Sequence, residues 1–390
     1  MNTIQKAVNQ IQSDLIEFAR DLVRTKSYSG DERAIIHLIE KKMKQLYYDD
    51  VTVDSMGNIV GRIGNGQDVL MFDSHVDTVA ANDPSKWRHD PFGGVIEDGM
   101  LYGRGSVDMK SSVAASIYAV AMAKTLGLDS GKSIYVSCTV MEEDCDGENL
   151  KHLFKALDIK PDYVIICEPS ANKIAIGHKG KAQISIKTHG VSAHGSAPEK
   201  GVNAIYEMAE IIQRAEKLNL ELMNKEGARG TLVISSISSI SASLNAVPSE
   251  CDVYLDRRMV PGETKDSIRQ EIEHLIKGKN ATWEVGTLHR NSWTGMDITY
   301  EPFHLAWEID LNHELSIACI DAYREIFGHD PGNYEFWDFS TNAVTPVSMG
   351  IPTIGFGPGE SKMAHMRNER CEVNQIVDAC RFYAQLIQTI

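Results

Sequence analysis

Side chains able to bind a metal or move a proton fall, in this chain, just after apolar runs. His75 and Asp77 follow the run 69–72, and Glu142 and Glu143 follow 134–141. Glu168-Pro169 closes 163–167, and Asp108 lies in Gly103-Arg104-Gly105-Ser106-Val107-Asp108-Met109-Lys110, ahead of an alanine-rich stretch. His365 lies just beyond Gly355-Phe356-Gly357-Pro358-Gly359, where a strand-like run breaks into a glycine loop. Taken singly, each has an ordinary explanation: a surface His-Asp pair, or an Asp that caps a helix. Adjacent carboxylates such as Glu142 and Glu143 are less ordinary, because they repel unless a cation or a proton joins them. Residues two apart on a strand share a face, so one of His75 and Asp77 can bind an ion while the other orients it.

Open α/β sheets bind ligands beyond the carboxyl ends of their strands. Strands that each deliver His, Asp or Glu to one sheet edge therefore describe a metal-dependent hydrolytic site. His75, Asp108, Glu143, Glu168 and His365 supply nitrogen and carboxylate donors of the kind zinc accepts, with Asp108 able to bridge two ions. Hydrolytic ion pairs sit ~3.5–4 Å apart. Manganese or cobalt also suits such donors.

Elements must hold these residues in place. Ile4, Val8, Ile11, Leu15, Phe18 and Leu22 recur at helical spacing, and a second helix is expected over 31–47. Strands are expected at 51–53, 59–63, 69–74, 95–102, 134–141 and 163–167, with a helix at 111–126. Strands alternating with helices predict an α/β fold around a mixed, mostly parallel central sheet flanked by helices. From residue 180 the texture changes. A strand at 182–188, a helix at 203–218, strands at 232–240 and 250–258, a helix at 264–276 and a strand at 282–288 follow. That order is ferredoxin-like. A helix at 314–327, a strand at 353–356 and a final helix from 373 complete the chain. The expected organisation is a catalytic domain of residues 1–179 and 291–390, interrupted by an α+β lid and dimerisation domain of residues 180–290.

The 390-residue length suits two domains. With 39 basic and 54 acidic residues the formal charge is -15, which disfavours nucleic acid as a partner. No run approaches the ~20 apolar residues of a membrane span. Asp14, Glu17 and Asp21 interrupt the N-terminal apolar pattern, unlike a secretory signal. Seven scattered cysteines without a CxxC pair read as reduced thiols in a cytoplasmic protein.

Motif order makes the reading specific. SHVDTV stands at 74–79, GRGSVDMK at 103–110, MEED at 141–144 and CEP at 167–169. AHGSAPEKGVNA follows at 193–204, DRRMVPGET at 256–264, and FGPG with AHMRNE within 356–369. Over nearly its whole length the chain resembles the dinuclear zinc metallopeptidase family of acetylornithine deacetylase, succinyl-diaminopimelate desuccinylase, aminoacylase and carboxypeptidase G. A YgeY-like hydrolase branch is the finer match.

The resemblance implies a zinc-exopeptidase-like catalytic domain with two divalent ions, normally zinc. His75 would hold one ion with Glu168 and His365 the other with Glu143, while Asp108 bridges. Asp77 would orient His75, Glu142 would be the general base, and the Asp108-Met109 peptide would be cis. His194 would reach the substrate carbonyl, in some relatives from the partner subunit. Asn245, Arg258 and Gly357 would contact the substrate, Arg258 gripping a carboxylate with its planar fork. A homodimer through the lid is also implied, and the serine-rich stretch 230–243 is a candidate edge strand for it. Met366 and Asn342 depart from the family pattern, where threonine and aspartate are usual. Both are expected near the substrate side, so substrate identity does not transfer.

The implied reaction is cleavage of an amide bond in a small carboxylate-bearing substrate, a peptide or an N-acyl amino acid. Ion-bound water ionises near neutral pH, Glu142 takes its proton, and hydroxide attacks the carbonyl. Hydrolysis of N-carbamoyl or ureido acids on the same site is the alternative. A metal-stabilised binding protein without catalysis is the remote one, disfavoured because Glu142 and all the ligands are present.

Overall fold

Apolar, β-branched runs become buried strands when neighbours pair with both edges and helices cover both faces. Asp68–His75 is the clearest example, buried from Leu70 onward. It pairs in parallel with Lys132–Thr139 on one side and Tyr163–Ile166 on the other. The computed structural model describes residues 3–390; Met1 and Asn2, where the expected amphipathic N-terminus begins, lie outside them.

The large sheet runs Asp50–Val53, Ile59–Ile63, Lys132–Thr139, Asp68–His75, Tyr163–Ile166, Thr353–Gly355, Ala175–His178, Trp307–Glu308, with Glu335–Trp337 also paired to Ala175–His178. Parallel pairing is concentrated at the centre, from Lys132–Thr139 to Thr353–Gly355, and antiparallel strands lie outside it. The sheet is thus mixed, as expected, but only partly parallel and not mostly so: Glu335–Trp337 adds a parallel pairing to Ala175–His178, and the outer pairings of Asp50–Val53, Ile59–Ile63 and Trp307–Glu308 are antiparallel. Helix Lys110–Leu126 lies between the sheet and the helices Thr3–Arg24 and Val373–Thr389. It is buried almost all round, and its many alanines let neighbouring backbones approach closely. Helix Glu148–Leu157 packs on the opposite side with Trp337 and Ile351.

A second, antiparallel sheet runs Thr231–Ile240, Glu250–Met259, Gly180–His189, Ala281–Val285, with Phe303–His304 beside Gly180–His189. Both central strands alternate buried and half-buried residues. The buried face packs against helices Ala204–Met223 and Lys265–Ile276 in a core separate from the large sheet's. Thr231–Ile240 is an edge strand, largely exposed.

Two expected strands prove to be composite. The stretch 95–102 is a hairpin, Val95–Glu97 and Met100–Tyr102, turning at Asp98-Gly99, both at positive φ. Asp-Gly is the sequence signal for such a turn. The stretch 282–288 ends as a strand at Val285, and Leu288–Asn291 pairs instead with Asp297–Tyr300.

Candidate metal centre and active site

Register explains how the candidate ligands meet. Asp73 lies opposite Ile166, so Glu168, two residues on, is carried level with His75. Thr139 lies opposite His75 on the other side, which brings the following Glu142–Cys145 turn of helix to the same edge. That helical turn, entered through Met141 at φ 60, solves the problem of two adjacent glutamates on opposite strand faces.

Asp108 precedes helix Lys110–Leu126 without capping it, which removes the ordinary explanation for this residue. The Asp108-Met109 peptide is cis. Asp108 presents one oxygen to each imidazole: Oδ1 lies 2.8 Å from His75 Nε2 and Oδ2 lies 3.2 Å from His365 Nε2. His365 Nε2 lies 3.0 Å from Glu143 Oε2, and His75 Nε2 lies 3.6 Å from Glu168 Oε1. His75 Nδ1 donates to the Asp77 carbonyl at 3.0 Å, which turns its Nε2 toward the cluster. Two overlapping triads, His75–Asp108–Glu143 and His75–Glu142–Glu168, each bring donor atoms within 4.8 Å of one another.

Charge in this cluster favours cations. Burial pushes the carboxyls of Glu142, Glu143 and Glu168 above their ordinary range, and neighbouring carboxylates add to the effect. Burial also opposes ionisation of Asp108, but His365 and His75 outweigh it and hold that carboxyl down. The same carboxylates raise both imidazoles, His75 and His365, so the cluster without ions holds protons whose place divalent ions would take. The oxygen and imidazole donors fit two such ions.

Asp77 does more than orient His75. Its carboxylate lies 3.6 Å from His75 Nδ1, too far for a hydrogen bond, and instead accepts from the backbone N–H of Glu142 and of Glu143, each at 3.1 Å. Ser29 donates to the same carboxylate at 2.7 Å. One buried aspartate thus fixes the histidine through its carbonyl and the glutamate pair through its side chain.

A cavity of about 310 Å³ opens on Asp108, Glu142, Glu143, Glu168 and His365, and Arg258 reaches it from the second sheet. His194, Asn245 and Gly357 do not line it. His194 and Asn245 are exposed on adjoining loops, where Gly195 N–H donates to the Asn245 carbonyl. Gly357 packs on the backbone beneath Glu168, and its N–H donates to Ser170 Oγ at 3.0 Å. Asn342, expected near the substrate, is buried behind the site, donating to Asp73 and Thr139 and accepting from Gly147 N–H. Met366 is exposed.

Sequence reasoning missed the groups that brace the ligands. Glu369 is fully buried, accepts from the N–H of Val107 and Asp108, and pairs with Arg104 at 2.5 Å. Arg104 in turn donates to the His365 carbonyl at 3.2 Å. Both lie inside quoted motifs, but nothing in a single sequence pairs residues so far apart. Asp146, Lys181 and Ser340, which also line the cavity, had no motif to mark them.

A mixed sheet whose strand ends gather two overlapping candidate ligand sets beside a small cavity has the form of a metal-binding enzyme site. The chain belongs to Peptidase family M20/M25/M40, which matches residues 71–389. It is 36% identical over 387 residues to the uncharacterized protein YgeY of Escherichia coli (strain K12), covering 98% of this chain and 96% of that protein. It is 27% identical to a succinyl-diaminopimelate desuccinylase of Corynebacterium glutamicum, over 99% of this chain and all of that one (100%). Among solved structures it resembles the Bacillus subtilis YXEP protein, a dinuclear metal-binding peptidase of the M20 family. The TM-score is 0.72 at 13% identity, over 97% of this chain and 98% of that chain. Among the described residues no helix is long and apolar enough to cross a membrane.

Proposed function

We propose that this chain is a zinc-dependent amidohydrolase that cleaves an amide bond of a small substrate bearing a carboxylate, a peptide or an N-acyl amino acid. The observation that carries this reading is Asp108, whose two oxygens each face a different imidazole, as a bridge between two ions requires. His75 with Glu168, and His365 with Glu143, would complete the two sites. Two ions held there would supply Lewis acidity, polarising the carbonyl and easing ionisation of water.

The residues around them do the rest. Glu142 lies 4.0 Å from His75 Nε2 and lines the cavity, within reach of a water placed among the ligands. It accepts the proton of the attacking water and passes it to the leaving nitrogen. Its raised pKa, caused first by burial, suits a group that must both take and return a proton. Arg258, with an unused edge toward the cavity, holds the substrate carboxylate. We assign residues 180–290 to a lid and dimerisation domain, and His194 to stabilisation of the oxyanion from the partner subunit. The desuccinylase and dinuclear peptidase relatives support both the bond class and the ion pair.

The test measures bound metal together with amine and ammonia release from dipeptides, N-acyl and N-carbamoyl amino acids. About two zinc ions per chain and chelator-sensitive amine release are expected. Ammonia as the main product would select the carbamoyl alternative, and absence of metal under zinc-replete conditions would refute the proposal. In Glu142→Gln, metal content should persist while turnover falls by at least ~10²-fold; wild-type turnover in that variant would remove Glu142 from the mechanism.

A further inference from the structure

Strand Lys132–Thr139 leads through Val140 and Met141 into the helical turn Glu142–Cys145, and Met141 makes that turn at φ 60 with its side chain buried. A residue other than glycine rests in the left-handed region only where its surroundings hold it there. The turn also opens with N–H groups that have no partner inside the helix. Asp77 takes those of Glu142 and Glu143. The one on Met141 goes to Glu32, whose Oε1 accepts it at 3.1 Å.

Glu32 does not do what its position suggests. It stands at the start of helix Arg33–Gln45, where a polar side chain often caps the first turn, yet it makes no cap bond. It is fully buried instead. Its Oε1 also accepts from the Gly30 N–H at 3.0 Å, which ties the loop after helix Thr3–Arg24 to the turn that bears the glutamate pair. From the same loop Ser29 donates to Asp77. Burial first, and then the Asp77 charge, pushes the Glu32 carboxyl from 4.5 up to about 8. It therefore keeps its proton at neutral pH and stands beside Asp77 without like-charge repulsion, with an oxygen still free to accept.

The base itself has little else to aim it. The Glu142 carboxyl lies 4.0 Å from His75 Nε2, beyond hydrogen-bond range, so its direction rests on the backbone beneath it. Building on the amidohydrolase reading, we propose that Glu32 is a positioning residue for the general base. Its grip on the Met141 N–H holds the left-handed turn that points Glu142 into the cavity.

Two variants separate the acceptor from the space it fills. Glu32→Gln keeps an acceptor oxygen on a neutral head, whereas Glu32→Met fills similar space without one. Amide exchange followed by mass spectrometry on the metal-free proteins should quicken over residues 140–145 in Glu32→Met and stay slow in Glu32→Gln. Kinetics then use the zinc-loaded enzyme and the dipeptide or N-acyl amino acid that it cleaves fastest. In Glu32→Met, kcat per zinc-loaded molecule should fall about ten- to a hundredfold with KM little changed, and Glu32→Gln should restore most of it. Because Glu32 acts through Glu142, adding Glu32→Met to Glu142→Gln should cost little beyond Glu142→Gln alone. A purely structural role would lower the melting temperature but leave kcat of the folded enzyme intact, or would add its full loss in the double variant. Either result overturns the proposal, and so does unchanged exchange over 140–145. If no amide is cleaved, the amidohydrolase reading fails, while the exchange data still decide whether Glu32 holds the turn. Should Glu32→Met fail to fold, Glu32→Asp, one methylene shorter, withdraws the acceptor from Met141 and is read in the same way.

Discussion

Glu369 shows how much of a candidate metal centre depends on residues outside the proposed ligand set. Its carboxylate takes the N–H of Val107 and Asp108 while Arg104 ties it to the His365 loop, so one buried ion pair sets the spacing of two ligands. Glu369→Gln keeps the shape but removes the charge that matches Arg104. Partners of this kind are worth ~10–100-fold in metal affinity. A competitive chelator titration of Glu369→Gln should show weakening in that range with the fold retained, and unchanged affinity would reduce the pair to packing. His178 makes a different kind of prediction. Buried against Trp307, it donates from Nδ1 to the Lys179 carbonyl at 2.8 Å, and burial pushes its pKa from 6.5 down to about 4 despite that bond. Between these values the unfolded chain binds a proton that the folded chain refuses. Stability therefore rises with pH through the window and is lost as pH falls from 6.5 toward 4, by up to about 3 kcal/mol. Urea titrations across the window should show a shallower slope for His178→Phe than for the wild type. Identical slopes would mean that other groups dominate acid unfolding.

At the scale of elements, the active edge depends on close backbone approach. A Cβ on Gly357 would fall 2.4 Å from the carbonyl oxygens of both Cys167 and Glu168, so strand Thr353–Gly355 can lead into its loop only through glycine. Gly357→Ala must push the Glu168 segment away, at a cost of ~1–3 kcal/mol or more. We expect a lower melting temperature and a reduced zinc stoichiometry in that variant; a wild-type metal content would show that the loop yields elsewhere. This contact also marks what a sequence can disclose. The runs ending at Ser74, Met141 and Cys167 were legible because strands buried on both faces are written as uninterrupted apolar residues, and their polar ends stood out as ligands. The role of Gly357 was misplaced, since a glycine needed for close packing and one that lines a substrate site look the same in one dimension. Asn342 was misplaced for a similar reason: its partners Asp73 and Thr139 are 269 and 203 residues away. Asp98-Gly99 was legible in principle, because that dipeptide encodes the turn that splits the stretch 95–102.

For the whole molecule, the informative fact is that His194 stands exposed, away from the cavity that holds Glu142 and the ligands. The second sheet also leaves its edge strand Thr231–Ile240 open, with Val233, Ile237 and Ile240 more than half exposed at 53%, 56% and 56%. An apolar edge of this kind invites pairing with a second copy. If two chains pair there, a twofold axis would return each His194 loop toward its partner's site, and each active site would be built from both chains. Complementation tests this directly. His194→Ala and Glu142→Gln should each be nearly inactive alone. Unfolded together and refolded, they would form mixed dimers in which one site has an intact Glu142 from one chain and an intact His194 from the other. With random pairing, half the dimers are mixed and half of their sites are competent, so about a quarter of wild-type activity should return. Recovery near that level requires His194 to act across the subunit boundary. No recovery, with dimers verified by light scattering, would place both residues in one chain and require the second sheet to swing His194 onto its own cavity. Lysine at Val233 and Ile237 separates these outcomes further, since it should dissociate the dimer and abolish activity only if the site is shared.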